Sequence, residues 1–474
     1  MAKEFETVIG LEVHVELKTK TKIFCSCTTE FGGEPNSHCC PVCMGLPGAL
    51  PVLNEEVLNY AIKAGLATNC KIQRFGKQDR KHYFYPDLPT AYQISQDDLP
   101  ICYDGHLDIE VKGATKRIGI TRIHIEEDAG KLVHEEGVGT LVDYNRAGVP
   151  LIEIVSEPDL RSAEEVRAYL QKLRAIMQYI DVSDCKMNEG SFRCDVNLSV
   201  REKGAKELGT RVEIKNLNSF QSIARAIEYE SQRHIREITE GGTLIQETRG
   251  FDQNSGKTYS MREKEDADDY RYMPDPDLMP IVIDEAWINS IRESLPELPD
   301  KRKAKYMEEY GLNSYDAEQL VTSRELANYF EEAAREAKNV KTLANLLISE
   351  IFRFIDLEDF KQPFPAAYLA ELVNLIEGGN INISTSKKII EEMIQSTKSP
   401  KEIVKEKGLE QISDPEVIAK LVDEAIANNQ KAVEEYRAGK EKALQAVVGY
   451  IMRETRGKAN PQLVNQMLLE RVKN

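Results

Sequence analysis

The sequence predicts an α+β protein: a sheet-bearing N-terminal part, then an all-α linker and a small helical tail. Three observations carry that expectation. At 474 residues the chain exceeds what one hydrophobic core serves, so two or three domains are expected. Up to residue 294, short runs of period two alternate with turn clusters; beyond it, helical spacing takes over and Gly and Pro become sparse. The expected domains are 1–294, 295–405 and 406–474. No run approaches the roughly 18 apolar residues that span a bilayer, so no membrane partner is expected. Behind Lys3 there is no apolar stretch of a secretory leader, which points to the cytoplasm.

The opening run is the cleanest strand. Ile9, Leu11, Val13, Val15 and Leu17 share one face, and Gly10, Glu12, His14 and Glu16 share the other. Same-face neighbours on a strand lie about 6.6–7 Å apart, so Glu12 and His14 can reach one ion. Next comes a cysteine group: Cys25-x-Cys27, twelve residues, then Cys40-Pro-Val-Cys43, with His38 and Cys39 alongside. Two close pairs separated by a loop fit a closed tetrahedral Cys₄ zinc site, structural because no ligand position stays open; reduced thiols are the alternative. Cys70, Cys102, Cys185 and Cys194 are scattered and read as buried small hydrophobes.

Arg80-Lys-His-Tyr-Phe-Tyr-Pro-Asp-Leu-Pro89 gathers aromatic, basic and proline residues. Stacking of Lys81, Tyr83 and Tyr85 on an unpaired nucleotide end and an ordinary aromatic core loop both suit that composition. Further on, Glu126, Glu127 and Asp128, then Glu153, add carboxylates. Phe192, Cys194, Val196 and Leu198 alternate with Arg193, Asp195 and Asn197, and Val212 and Ile214 with Arg211, Glu213 and Lys215. Such alternation implies an antiparallel sheet with one face on a core and the other open. A solvated face is the plain reading of any one strand. Several strands offering carboxylates would repel without counter-ions, and hard oxygens with one imidazole suit Mg²⁺ or Mn²⁺, hence nucleotide chemistry.

No phosphate loop supplies the nucleotide site: Gly256-Lys257-Thr258 ends as one should, but Phe251 stands where the first glycine belongs. Ser255-Gly-Lys therefore reads as a hairpin turn, and ATP would be held by metal-bridging carboxylates with Arg193, Arg211, Lys215 and Arg262. Pro274, Pro276, Pro296 and Pro299 punctuate the main boundary, after which Ala317 to Lys338 and Lys341 to Phe354 read as amphipathic helices. A second break is expected near Lys405 to Gly408. The formal charge of −17 argues against a generic polyanion binder, yet residues 431–474 carry nine Lys and Arg against five Glu, a local +4.

Ile9-Gly-Leu-Glu-Val-His-Val-Glu-Leu17, Tyr83-Phe-Tyr-Pro-Asp-Leu-Pro89, His124-Ile-Glu-Glu-Asp-Ala-Gly-Lys131, Leu151-Ile-Glu-Ile-Val-Ser-Glu-Pro158, Ile214-Lys-Asn-Leu-Asn-Ser-Phe220 and Gly457-Lys-Ala-Asn-Pro-Gln-Leu-Val464 closely resemble the B-subunit family of bacterial glutamyl/aspartyl-tRNA amidotransferases. The resemblance covers the whole chain, with motifs in family order. It implies an N-terminal cradle similar in fold to glutamine synthetase and guanidino kinases, and a YqeY-like tail that contacts tRNA, where Lys458 and Asn460 fall. It also implies that Glu12, His14, Glu126, Glu127, Glu153, Asp195 and Glu213 form the metal and ATP shell, with Lys215 beside it. The implied reaction corrects Glu on tRNA(Gln) and, in many organisms, Asp on tRNA(Asn). ATP converts the side-chain carboxylate to an acyl phosphate, and ammonia displaces phosphate.

The chain shows no Gly- and Ser-rich stretch of the amidase kind, and Ala2 rather than a cysteine follows Met1, so ammonia is expected from a partner glutaminase. The resemblance implies an amidase A subunit and a small C subunit. Two rivals are an archaeal E-type paralogue, for whose inserted domain the length leaves little room, and a zinc-stabilised RNA-binding scaffold without catalysis.

Overall fold

The computed structural model describes residues 4–135, 137–263, 270–357, 360–396, 398–412, 414–438, 440–455 and 458–473. The chain forms two compact units, Met1–Leu298 and Pro299–Asn474.

The first unit is built on a nine-stranded sheet. In chain order its strands are β1 (Phe5–Glu16), β2 (Lys71–Ile72), β3 (Cys102–Val111), β4 (Ala114–Glu127), β5 (Pro150–Ser156), β6 (Phe192–Glu202), β7 (Val212–Lys215), β8 (Glu247–Asp252) and β9 (Lys257–Glu263). Across the sheet they run β9-β8-β7-β6-β1-β5-β4-β3-β2. The first strand is thus central, antiparallel to β5 on one side and β6 on the other. The expected pure antiparallel sheet is corrected at one pair: β7 and β8 are parallel. Residues 216–246 between them include a 21-residue helix, α3 (Phe220–Glu240), and a crossover of that length permits parallel pairing where a tight hairpin forbids it.

Together with α1 (Glu55–Ala67) and α2 (Ala163–Tyr179), α3 covers one face. Val13, Val15, Val196, Leu198, Val212, Ile214, Ile152 and Ile154 are 0% exposed there, which is what sets the opposite parity aside for polar side chains. The four scattered cysteines are also buried. Gly256, in the left-handed region, turns the chain between β8 and β9, and Asp252 accepts from the Asn254 and Ser255 amides, as a hairpin reading requires. Leu295 and Leu298 still pack on this core, so the unit closes a few residues past the expected 294.

The second unit is helical and holds two hydrophobic clusters, one within residues 306–404 and one within 418–472. The single helix expected over Ala317 to Lys338 is two, Ser314–Leu320 and Arg324–Ala334. Ser323 caps the second by accepting from the Leu326 amide, and a cap needs a non-helical backbone that interrupts the first. The stretch from Lys341 is helical throughout, but Val340–Leu346 passes into a π turn, Leu347–Ile351, and a 3₁₀ turn, Phe352–Phe354. Helix Pro400–Lys407 ends at left-handed Gly408. Leu409 packs on the earlier cluster and the Gln411 amide donates to Asn380 O, whereas Ile412 packs on the later one, so the change of core falls at 411/412 rather than at 405/406. No helix among the described residues is long and apolar enough to cross a membrane.

Candidate active site

Register decides which polar side chains meet. His14 stands opposite both Arg193 and Glu153, and Glu153 opposite His124, so one transverse row crosses β6, β1, β5 and β4. His14 Nε2 lies 3.3 Å from Glu153 Oε2 and 3.4 Å from Glu126 Oε1. Burial alone would lower the His14 imidazole, but Glu153 and Glu126 outweigh it and hold the ring up at about 9. Glu153 moves the other way: burial pulls it upward, and His124 and His14 keep it below the usual carboxylate range. One ligand atom each of His14, Glu126 and Glu153 lies within 4.8 Å of the others.

One same-face step along β1, about 7 Å by strand geometry, Glu12 meets Asp195 across the β1–β6 pair. Glu213 joins them from β7, and these three make a second group whose ligand atoms lie within 4.8 Å. Lys215 Nζ bridges Asp195 Oδ2 at 2.7 Å and Glu213 Oε1 at 2.9 Å. Asn197 Nδ2 donates to Glu12 Oε1 at 2.9 Å, and Thr248 Oγ1 to Glu213 Oε2 at 3.0 Å. Burial, then Glu153 and Glu213, push the Glu12 carboxyl up. Hard oxygens with one imidazole in the first group, and three carboxylates in the second, are a donor set that suits small divalent cations.

The remaining expected residues divide. Glu127 is corrected: one position from Glu126, it points away from the row, and its carboxylate accepts from the Ile94 amide at 2.8 Å. There it lines a cavity of about 110 Å³ with Lys22, Cys25, Cys43 and Asp87, and burial raises it to about 7. Asp128 pairs with Arg193 at 2.9 Å and Arg146 at 3.4 Å rather than joining either acid group. Arg193 therefore faces the row with one partner already taken. Arg211 is exposed just ahead of β7; Arg262 stands opposite Thr248, and its side chain lies outside the described residues.

Lys81 lies on the short strand Asp79–His82, its Nζ 4.8 Å from the Tyr270 ring centroid and 5.8 Å from that of Tyr83. Tyr83, Tyr270 and Tyr272 form a chain of edge-on rings, each centroid step 6.1 Å, while Tyr85 and Phe84 are exposed. In the second unit, Asn460 Oδ1 accepts from the Gln462 and Leu463 amides and caps the last helix, Pro461–Lys473, a structural role its motif had not suggested. Lys458 O accepts from the Ile412 amide at 2.7 Å. Sequence reasoning also passed over His124, Asn197, Thr248 and the Tyr270–Tyr272 pair. Parity with Glu126 and Asp195 marks the first two; nothing local marks the others.

Cys25, Cys27, Cys40 and Cys43 converge, with sulfur atoms within 4.8 Å of one another. Cys43 Sγ lies 4.0 Å from Cys27 Sγ and 3.9 Å from Cys40 Sγ, close to the roughly 3.8 Å edge of a tetrahedron with ~2.3 Å metal–sulfur bonds. None of the four forms a disulfide, and Cys39, outside that group, lies 4.0 Å from Asn145 Oδ1.

Comparison with known proteins defines the class. Residues 7–289 match the family model described as the GatB/GatE catalytic domain, and residues 328–472 the one described as the GatB domain. The sheet-bearing unit is thus a catalytic domain, and the E-type alternative is not favoured by the second match. The chain belongs to the family of aspartyl/glutamyl-tRNA(Asn/Gln) amidotransferase B subunits, part of a ligase-type enzyme. A protein of that name from Caldicellulosiruptor bescii is 59% identical over 474 aligned residues, 98% of this chain and 99% of the relative. One from Carboxydothermus hydrogenoformans is 57% identical, covering 99% of each, and one from Geotalea uraniireducens 55%, with the same coverage.

Proposed function

We infer that this chain carries out the ATP-dependent amidation of Glu on tRNA(Gln), and of Asp on tRNA(Asn) where that substrate occurs. The observation that supports it best is the pair of acid groups on one sheet face, joined through Glu12 and His14 of β1. A carboxylate does not condense with ammonia in water. Phosphorylation by ATP makes it an acyl phosphate, and ammonia then attacks the carbonyl carbon and releases phosphate. Divalent cations, Mg²⁺ or Mn²⁺, would be held by His14, Glu126 and Glu153 and by Glu12, Asp195 and Glu213, and would neutralise phosphate charge there.

The chain's own cations fit around that chemistry. Lys215, already among carboxylates, would exchange one of them for a phosphate oxygen, and Arg193 would offer a guanidinium on the adjacent strand. Arg211 and Arg262 remain candidates for the outer phosphates. Lys81 with Tyr83, and exposed Tyr85, would meet the tRNA end. The acyl phosphate hydrolyses in open water, so ammonia should arrive enclosed, from an amidase A subunit, with a small C subunit completing a heterotrimer. Zinc on Cys25, Cys27, Cys40 and Cys43 would be structural. The cradle's kinship to glutamine synthetase and guanidino kinases, a division into three domains with limits near 298 and 411, tRNA contact by the tail, Lys458 included, and a cytoplasmic site belong to the same reading.

Glu12→Gln and His14→Ala test it. Both are expected to abolish phosphorylation of Glu-tRNA(Gln), a loss of about 10³-fold or more, with tRNA binding kept. Near-normal ATP-dependent turnover in both would reject the site, and tRNA binding with no catalysis even in the wild-type heterotrimer would favour the scaffold.

A further inference from the structure

We propose that His124 is a positioning residue of the first acid group, its Nε2–H holding the Glu126 and Glu153 carboxylates in the arrangement that accepts a divalent cation. The inference rests on the reading of His14, Glu126 and Glu153 as a cation site. His124 stands directly opposite Glu153 in the sheet and is 3% exposed. Its Nε2 lies 3.5 Å from Glu153 Oε2 and 3.8 Å from Glu126 Oε2. His14 Nε2 approaches the other Glu126 oxygen, Oε1, so each oxygen of Glu126 has its own imidazole.

Hydrogen-bond accounting assigns the proton. Nδ1 of His124 is buried and, among the described residues, has no hydrogen-bond partner. Ionised carboxylates only accept, so the imidazole nitrogen that faces two of them is the donor. The proton therefore sits on Nε2, facing two carboxylates, and from there the ring donates rather than ligates. Both separations exceed the ~2.9 Å of a formed N–H···O bond, so a carboxylate shift of under about 1 Å closes the contact. Carboxylates that hold metals are themselves commonly fixed by such donors, whose loss weakens metal binding by roughly 10–100-fold.

The test is titration of the dialysed full chain with Mn²⁺, followed by the spin resonance of the free ion. Wild-type binding that Glu153→Gln removes supports the underlying site; no such binding, or none lost in Glu153→Gln, overturns that reading. His124→Ala is expected to weaken binding by about 10-fold or more, and His124→Gln, whose amide N–H reaches a similar place, to restore it to within about 3-fold. Affinity unchanged in His124→Ala, or lost equally in both variants, overturns the positioning role. Should the variants not fold, the Mg²⁺-loaded wild type labelled with ¹⁵N-histidine still decides: a proton-bearing Nε2 on His124 supports the proposal, and a bare Nε2 sinks it.

Discussion

The two units bury charge to different depths. In Met1–Leu298, ionised groups sit inside: Asp128 pairs with Arg193 while 4% exposed, and Glu230, 0% exposed, lies among Arg233, His234 and Arg249. In Pro299–Asn474 the charges that go inside stay shallower, Arg302 at 8% exposed and Glu350 at 7% among the described residues, and pairs such as Lys407–Glu392 and Lys398–Glu406 lie on the surface, each partner a third or more exposed. Screening and side-chain entropy leave surface pairs nearly neutral, whereas buried ones are costly to break. The deep charges of the first unit therefore weigh on its stability more than the surface pairs of the second.

The sharpest way to break that contrast is at the cysteines. Cys43→Ser is expected to drop bound zinc from about one equivalent to below about 0.1, and to lower Tm by several degrees, checked by metal analysis after purification without chelator and by calorimetry. Zinc kept by the variant would remove Cys43 from the set.

Acid titration of Glu230 is next. Burial alone would raise this carboxyl, but His234, Arg233 and Thr258 hold it at about 2. A depressed folded pKa means stability present above the ordinary value of 4.5 and lost as pH falls from there towards 2, roughly 3 kcal/mol in all. Urea unfolding of wild type and Glu230→Gln should show a gap at pH 7 that narrows across this window; a constant gap would refute the assignment.

Ending the chain at Gln411, where the core changes, should weaken tRNA affinity by ~10-fold and flatten its salt dependence, because the local +4 goes with it. Unchanged affinity in filter binding would remove the tail from tRNA contact. The smallest effect belongs to Lys407→Ala, expected to move Tm by less than about 1 °C.

Much of the site was legible because period two reports facing. Glu12, His14, Asp195 and Glu213 all fell on the open side as alternation requires, and the same rule separates Glu126 from Glu127, which resemblance had grouped together. Facing says nothing about neighbours, however. His14 meets Glu153 from 139 positions later in the chain, a pairing that only sheet order creates. Ser323 shows the converse in the helices: a cap residue stood in plain view, but the apolar spacing ran past it, and only the folded backbone revealed the interruption.

By itself the sequence determined the faces: which side chains go to the core, which stay polar, and which cysteines are spaced for one ion. Those are local properties, set by the alternation of Cβ directions and by residue chemistry. The tertiary structure alone decided the company each kept, from His124 beside the acids to Glu127 turned towards the cysteine loop. Those depend on strand order and register, which arise from packing between segments far apart in the chain and leave no trace in any short window of it.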